Sequence, residues 1–249
     1  MPKGLFYSKK NRKRWFGTEN RFYFEPRKSV DKLIIKLKVY ITMGLRTSVI
    51  VNGINNLSDA RYCAGMGVDI IGFNLKLDDP ARVQPETLKE ISGWIAGVQV
   101  AGEFLRARPD LINEMAEEYN LDFIQLDVPY LIDEIEEINR PVIQKVFINK
   151  DTVESELLEM MELYSPYVHS FIIFSDDFSS IDDTNTRFLA GLAKKYKIYL
   201  GFGIDKDNIT PILKGIKPTG IGLQGGHEIK PGLKDFDELA EIFEEIEEA

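Results

Sequence analysis

The sequence contains a single cysteine, Cys63, and only two histidines, His169 and His227. One thiol excludes an intrachain disulfide and a metal centre built from several cysteines, and two histidines argue against a histidine-rich metal site. Cys63 falls within a predicted helix, where a lone cysteine is typical of core packing. We therefore expect no metal and no cofactor.

Long apolar runs are missing as well. No stretch approaches the roughly 20 apolar residues that cross a bilayer, and Lys36 and Lys38 interrupt the first apolar segment, which argues against a signal peptide there. These features predict a cytoplasmic protein without membrane contact. Hydrophobic residues still make up 44% of the 249 residues, and charged residues 29%, which is the balance of a globular domain.

Acidic residues are scarce at the start of the chain and abundant afterwards. Residues 1–42 carry 12 Lys and Arg against 3 Asp and Glu, whereas the remainder carries 19 basic and 37 acidic residues. We do not expect so acidic a body to bind nucleic acid broadly, although the basic segment 1–42 has the charge to contact RNA or an anionic surface. The simpler interpretation of residues 1–42 is a disordered tail without function, or sequence upstream of a true start at Met43.

From Met43 onward, short β-branched segments alternate with longer amphipathic segments, as is typical of parallel βα units. The predicted strands are 47–51, 70–74, 97–101, 123–126, 142–147, 170–174, 198–201 and 220–223. The predicted helices are 58–66, 85–95, 109–119, 131–138, 153–164, 185–196, 207–213 and 235–247, the last capped by Asp235. Eight such units predict an α/β fold, a single-domain (β/α)8 TIM barrel over residues 43–249. The alternative, a doubly wound open sheet, is less favoured because no GxGxxG segment follows the first strand.

Two glycine-bearing loops follow the seventh and eighth predicted strands, GFGI at 201–204 and LQGGHE at 223–228. These are the loops in which a barrel holds a phosphate, because glycine lets backbone N–H groups point at an oxyanion. Gly203, Gly225 and Gly226 are the predicted phosphate-binding residues, although such glycines also occur in ordinary tight turns. His227 is either a further donor to the phosphate or an exposed loop residue.

Several segments, in order along the chain, resemble the phosphoribosylanthranilate isomerase family of tryptophan biosynthesis. They are NGINNLSDA at 52–60, GVDIIGFNL at 67–75, the loop around Arg82, FIQLD at 123–127, GFGI at 201–204 and GGHEIKPGLKD at 225–235. The last of these resembles the family's SSGVE…PG-K-D segment. The resemblance extends from about residue 45 to residue 249. It implies an Amadori rearrangement, in which an N-linked aminoaldose phosphate becomes an aminoketose phosphate.

The chain departs from this family at the two residues that move protons. In the family, a cysteine at the end of strand 1 is the base and an aspartate at the end of strand 6 is the acid. Asn52 and Phe174 stand at those positions. An amide does not titrate near neutrality and a phenyl ring holds no exchangeable proton, so neither can replace its counterpart. The sequence thus predicts a barrel that binds a phosphorylated small molecule and has lost the isomerase activity.

Other polar residues keep alternatives open. Asp127 stands where the family has a histidine, and Lys145 resembles a family lysine that either contacts substrate or forms a structural ion pair with Asp127. Arg82, one residue from the position of a family arginine, is the predicted substrate contact. Glu103 either joins Asp127 and Lys145 as a new acid and base set or is a solvated loop residue.

Three functions follow from these residues. The first is a catalytically degenerate barrel that binds a phosphorylated ligand or serves as a partner subunit. The second is an active isomerase with a relocated acid and base, for which Asp176, on the loop after strand 6, is a candidate acid. The third is another sugar-phosphate isomerase or lyase that depends on Asp127 and Lys145.

Overall fold

Eight parallel strands close into a barrel in the computed structural model, which describes residues 44–225, 228–230, 233–234 and 237–247. The strands are β1 Ser48–Asn52, β2 Ile70–Asn74, β3 Gln99–Phe104, β4 Phe123–Leu126, β5 Val142–Phe147, β6 Ser170–Phe174, β7 Ile198–Leu200 and β8 Gly220–Gln224. Each strand pairs with the next along the chain, and β8 returns to pair with β1. The predicted (β/α)8 barrel is confirmed.

Helices separate the strands and cover the outside of the barrel. They are α1 Leu57–Gly65, α2 Pro85–Trp94, α3 Pro109–Glu118, α4 Ile132–Glu136, α5 Glu154–Tyr164, α6 Asp183–Lys195, α7 Ile209–Ile216 and α8 Asp237–Ile246, and a hairpin of β9 Glu228–Lys230 and β10 Leu233–Lys234 precedes α8. Proline opens α2 and α3, where its missing N–H would have no helical partner anyway. Within the described residues, no helix has the length and apolar character needed to cross a membrane.

Residues alternate along each strand between the helical layer and the barrel interior. One large cluster of buried side chains, to which Val49 and Val51 belong, packs between the strands and the helices. A separate cluster fills the interior with Ile50, Ile70, Ala101, Phe123, Ile143, Ile172, Phe174 and Tyr199. Positions two residues beyond Ile50, Ala101 and Phe123 therefore also face inward, one layer nearer the carboxyl ends of the strands.

Two predicted boundaries were wrong in ways that matter for the site. Strand 3 was expected to end at Ala101, but β3 continues to Phe104 and encloses Glu103, because backbone pairing with β4 extends through Phe104 and Leu126. The helix expected at 207–213 is Ile209–Ile216, since Asp205 and Asn208 form the turn before it. The predicted N-cap Asp235 lies outside the described residues.

Gly220 marks the tightest backbone approach in the barrel wall. A Cβ there would overlap the carbonyl oxygen of Ser48 and would lie 2.7 Å from the Tyr199 ring. We expect Gly220→Ala to lower the free energy of unfolding by about 1–3 kcal/mol or more, because a strand backbone cannot move away cheaply. Urea denaturation measures this, with Gly65→Ala as the control, since a Cβ at Gly65 meets nothing within 4 Å. Equal effects of the two substitutions would contradict the packing.

Candidate functional site

A layer of polar side chains lies inside the barrel at the carboxyl ends of the strands. Alternation places Asn52 above Ile50 on β1 and Gln125 above Phe123 on β4, and both polar side chains have 0% exposure. Glu103 on β3 is 4% exposed. Chemistry in (β/α)8 proteins is carried at this end of the barrel, and buried polar groups there need internal partners.

Three of these side chains form a chain of hydrogen bonds, which we call the amide relay: Asn52, Gln125 and Asp127. The Asn52 Nδ2 group donates to Gln125 Oε1 at 3.0 Å, across the barrel from β1 to β4. Gln125 Nε2 donates in turn to Asp127 Oδ1 at 2.8 Å. The relay therefore runs from the end of β1 to a carboxylate just beyond the end of β4.

Two ammonium groups flank the carboxylate end of the relay. Asp127 Oδ2 lies 2.7 Å from Lys76 Nζ and 3.8 Å from Lys145 Nζ. Partial burial alone would lower the pKa of the Lys76 ammonium, but the hydrogen bond and charge of Asp127, with smaller contributions from Glu103 and Asp79, raise it above its ordinary value. The predicted pairing of Asp127 with Lys145 is present, and Lys76 is the closer partner.

Glu103 is buried beside the relay, so of the two alternatives left open by the sequence the structure shows a carboxyl group inside the barrel mouth rather than a solvated loop residue. Its Oε1 accepts the N–H of Gly53 at 2.8 Å. Burial raises the pKa of the Glu103 carboxyl, and the negative charge of Asp127 adds to this, against the opposing effects of the Gly53 N–H, Lys76 and Lys145.

Gly72 makes room for Asn52 and Glu103 to meet. A Cβ at Gly72 would overlap Asn52 Oδ1 and would lie 2.8 Å from Glu103 Oε1. Both oxygens therefore lie close to the point that a side chain at Gly72 would occupy. Among the described residues, the buried Asn52 Oδ1 has no hydrogen-bond donor.

Phe174 is the last residue of β6, as the sequence predicted, and is 7% exposed. Its ring packs so closely on Gly201 that a Cβ at Gly201 would lie 2.6 Å from it. Lys145 Nζ lies 4.2 Å from the ring centroid, a distance typical of a cation–π contact. An apolar ring thus occupies the position that the resemblance gives to the proton donor.

The loops after β7 and β8 enclose a cavity of about 300 Å³. It is lined by residues 201–204 and 222–225 and by Glu238, Leu239 and Ile242 of α8. Gly203 has a φ of +63°, a conformation that glycine adopts without strain, and a Cβ there would lie 3.0 Å from the Ser180 backbone. The cavity has the two glycine loops expected for a phosphate site.

One predicted phosphate donor is already engaged. The N–H of Gly225 donates to the Asn52 carbonyl oxygen at 2.7 Å, in register with the pairing of Asn52 and Gln224. Gly225 therefore contributes space rather than an N–H to the cavity. Gly226 and His227 lie outside the described residues.

The remaining sequence candidates do not join the relay. Arg82 lies half-buried in the β2–α2 loop, and no described contact connects it to Asp127, whereas Lys76 of the same loop reaches that carboxylate. Asp176 is exposed on the loop after β6, and Cys63 is buried in α1. Among the described residues, no group of three His, Cys, Asp or Glu side chains is arranged to hold a metal ion.

Sequence reasoning missed Lys76 and Gln125. Gln125 lies two residues after Phe123 on β4, so the two side chains share a face of the strand. In a (β/α)8 barrel this pattern indicates an inward-facing polar side chain. Lys76 lies two residues beyond β2 and shows no such pattern. The direction of a lysine side chain in a loop depends on its tertiary contacts, here the ion pair with Asp127, which the local sequence does not reveal.

The chain is similar to known proteins in sequence and in fold. Residues 50–245 match the sequence profile of the family described as N-(5'phosphoribosyl)anthranilate (PRA) isomerase. A protein of Geotalea uraniireducens (strain Rf4), named N-(5'-phosphoribosyl)anthranilate isomerase, is 30% identical over 201 residues, which cover 79% of this chain and 96% of that protein. One of the same name from Aquifex aeolicus (strain VF5) is 27% identical over 197 residues, covering 76% and 93%.

Solved structures share the fold. Phosphoribosyl anthranilate isomerase from Thermotoga maritima superposes with a TM-score of 0.69 at 21% identity, covering 80% of this chain and 98% of that one. A phosphoribosyl anthranilate isomerase in complex with reduced 1-(o-carboxyphenylamino)-1-deoxyribulose 5-phosphate superposes with a TM-score of 0.66 at 22% identity, with the same coverage.

Proposed function

This chain belongs to the N-(5'-phosphoribosyl)anthranilate isomerase family, and we propose that it binds a phosphorylated small molecule without performing the family's Amadori rearrangement. The ligand's phosphate enters the cavity between the β7 and β8 loops. The rest of the ligand extends over Asn52 and Phe174, at the ends of β1 and β6. Neither side chain can donate or accept a proton in the reaction.

The burial and the hydrogen bonding of Asn52 are the main support for this proposal. Its amide is fully buried and its nitrogen is committed to Gln125, so it acts as a fixed hydrogen-bonding group rather than as a base. Phe174 cannot supply the acid from β6. General acid and general base catalysis each contribute about 10²–10⁴ to a rate. Binding of the phosphate does not replace them, because uniform binding leaves the chemical barrier unchanged.

The glycine loops support the choice of ligand. They open at the carboxyl ends of β7 and β8, the usual phosphate position in these barrels, and residues 237–246 place a helix beside the same cavity. A phosphorylated sugar derivative, which a solved relative holds, has the phosphate and the polar carbon chain that these loops and the relay would contact.

Complementation tests the lost activity. The full-length chain is expressed in a bacterium that lacks phosphoribosylanthranilate isomerase, and growth is scored without tryptophan. We expect no growth, while the Geotalea uraniireducens relative at the same expression level restores it. Growth with this chain would overturn the proposal and indicate an active isomerase with a relocated acid and base.

Glu238 offers a test of the phosphate position. This exposed carboxylate lines the cavity, so we expect Glu238→Gln to tighten the binding of the reduced product analogue by about 2- to 5-fold, by removing a like charge near the phosphate. Isothermal titration calorimetry measures the change, and Glu244→Gln, exposed on the same helix, is the control. Affinity that responds equally to both substitutions, or to neither, would place the phosphate elsewhere.

A further inference from the structure

The amide relay has a direction that Asp127 sets. A carboxylate between two ammonium groups only accepts hydrogen bonds, so Gln125 must turn its NH₂ group toward Asp127. The Gln125 carbonyl oxygen is then left to accept from the Asn52 NH₂ group. Asn52 Oδ1 consequently points the other way, toward Gly72, where a Cβ would overlap Asn52 Oδ1 and would lie 2.8 Å from Glu103 Oε1.

Asn52 Oδ1 and Glu103 Oε1 both approach Gly72, and two neighbouring buried acceptor oxygens are unfavourable unless one of them carries a proton. Asn52 Oδ1 has no donor among the described residues, and an unsatisfied buried acceptor is unfavourable. A proton on the Glu103 carboxyl supplies that donor. The same proton removes a second buried negative charge from the neighbourhood of Asp127.

We propose that Glu103 holds a proton in the resting protein and exchanges it with the phosphorylated ligand of this site. The inference rests on the proposed function for its ligand, which we take to be a phosphorylated ketose. Glu103 then holds its proton near the relay that runs from Asn52 through Gln125 to the ion-paired Asp127. A carboxyl group that keeps its proton supplies a site with an acid at neutral pH.

The surroundings of Glu103 agree with this assignment. The charged groups that face it are Asp127 from the β4 end, Lys76 from the β2–α2 loop and Lys145 from β5, and the Gly53 N–H contacts it from the β1 end. Burial and Asp127 raise the pKa of the carboxyl, and the two lysines and the N–H do not outweigh them. Lys76 is the most exposed member of the cluster, with 22% of its side chain accessible.

The proton exchange needs no reactant other than Glu103 and the phosphorylated ketose. The Glu103 O–H bond breaks as an O–H bond forms on the ligand's carbonyl oxygen. The resulting carboxylate takes the proton from the carbon beside that carbonyl, and the C–H electron pair becomes the double bond of an enediol. Glu103 is again protonated, and reversal in D₂O returns deuterium to the carbon.

The first test uses the full-length protein without ligand. Carbon-13 NMR of carboxyl-labelled glutamate follows the titration of Glu103, whose signal is assigned by its loss in Glu103→Gln. We expect a midpoint above the ordinary glutamate value, and we expect Gln125→Leu to lower it by about one pH unit or more, because Asn52 is then able to turn its NH₂ group toward the carboxylate. Glu159→Gln, exposed on α5, leaves the midpoint unchanged.

If burial alone raised the pKa of the Glu103 carboxyl, Gln125→Leu would have the opposite effect on the titration midpoint. An apolar side chain in place of Gln125 would deepen the desolvation of Glu103, so a midpoint that stays or rises in Gln125→Leu would overturn the role of the relay. Should that variant not fold, as judged by circular dichroism, the titration in the unaltered protein still decides: a midpoint in the ordinary glutamate range would overturn the proposal.

The second test offers D-ribulose 5-phosphate in D₂O and follows deuterium at the carbons beside its carbonyl by proton NMR. We expect incorporation with the unaltered chain and at least a 100-fold loss with Glu103→Gln, a change within the range of general acid–base catalysis. Binding of the ketose without incorporation would overturn the proton exchange and leave the proposed function intact. Absence of binding by both the ketose and the reduced product analogue would instead contradict the proposed function, while the ligand-free titration would still stand.

Discussion

Installing a cysteine at Asn52 and an aspartate at Phe174 together is expected to raise the rate of N-(5'-phosphoribosyl)anthranilate isomerisation by at least about 100-fold over the unaltered chain. Each proton-transferring group contributes about 10²–10⁴, and a base without an acid leaves one transfer unassisted. Either single substitution should therefore raise the rate by less than about tenfold. The loss of anthranilate fluorescence from the substrate measures kcat/KM.

Recovery in the double variant should be partial. Lys145 Nζ lies 4.2 Å from the Phe174 ring centroid, so an aspartate there would meet an ammonium group that favours its ionised form and weakens it as an acid. The matched control is Asn52→Ser with Phe174→Leu, which changes the same positions without adding a group that titrates near neutrality. A similar rise in that control, or a full rate in the unaltered chain, would contradict the account of Asn52 and Phe174.

Replacing Glu103 by glutamine is expected to stabilise the protein at pH 8 and to change little at pH 4. The folded protein raises the pKa of this carboxyl above its ordinary value of 4.5. Below pH 4.5 the group is protonated in the folded and unfolded states, and it makes no difference to stability. As the pH rises toward the raised folded value, the unfolded chain loses its proton first, and the folded state becomes less favourable by about 1.4 kcal/mol for each unit of the shift.

Glutamine imitates the protonated carboxyl at every pH. Its oxygen can accept from the Gly53 N–H and its NH₂ group can donate to Asn52 Oδ1, so the variant avoids the loss of stability above pH 4.5. Urea denaturation at several pH values measures the difference from the unaltered chain. The exposed Glu159→Gln substitution should show no such dependence, and a Glu103→Gln variant that is less stable at pH 8 would contradict the burial of an acid at this position.

The barrel itself followed from the sequence because local patterns determine it. Eight β-branched segments of about five residues, each followed by an amphipathic helix, leave few alternatives once the strands are parallel. The ends of β1 and β6 were also predictable, and they fixed the positions of Asn52 and Phe174. The predicted end of strand 3 was too early, because a charged residue after an apolar segment resembles the start of a loop. Only the pairing with β4 shows that Glu103 belongs inside.

The amide relay could not have been predicted from local patterns. Asn52 and Gln125 are separated by 73 positions in sequence and stand on strands that do not pair with each other. Their contact depends on the closure of the barrel and on Gly72, where a side chain would occupy the space of Asn52 Oδ1. The role of Gly225 was likewise decided by register, since its N–H meets the Asn52 carbonyl only when β8 returns to β1.

A single-turnover experiment tests the central claim most directly, namely that the site retains its ligand but, without a base at Asn52 and an acid at Phe174, does not perform the Amadori rearrangement. Full-length protein in excess is mixed rapidly with N-(5'-phosphoribosyl)anthranilate, and substrate fluorescence and product are followed together. We predict a fluorescence change that reports binding, with the substrate recovered unconverted when the protein is removed. Conversion to the aminoketose phosphate in the first turnover would contradict the account.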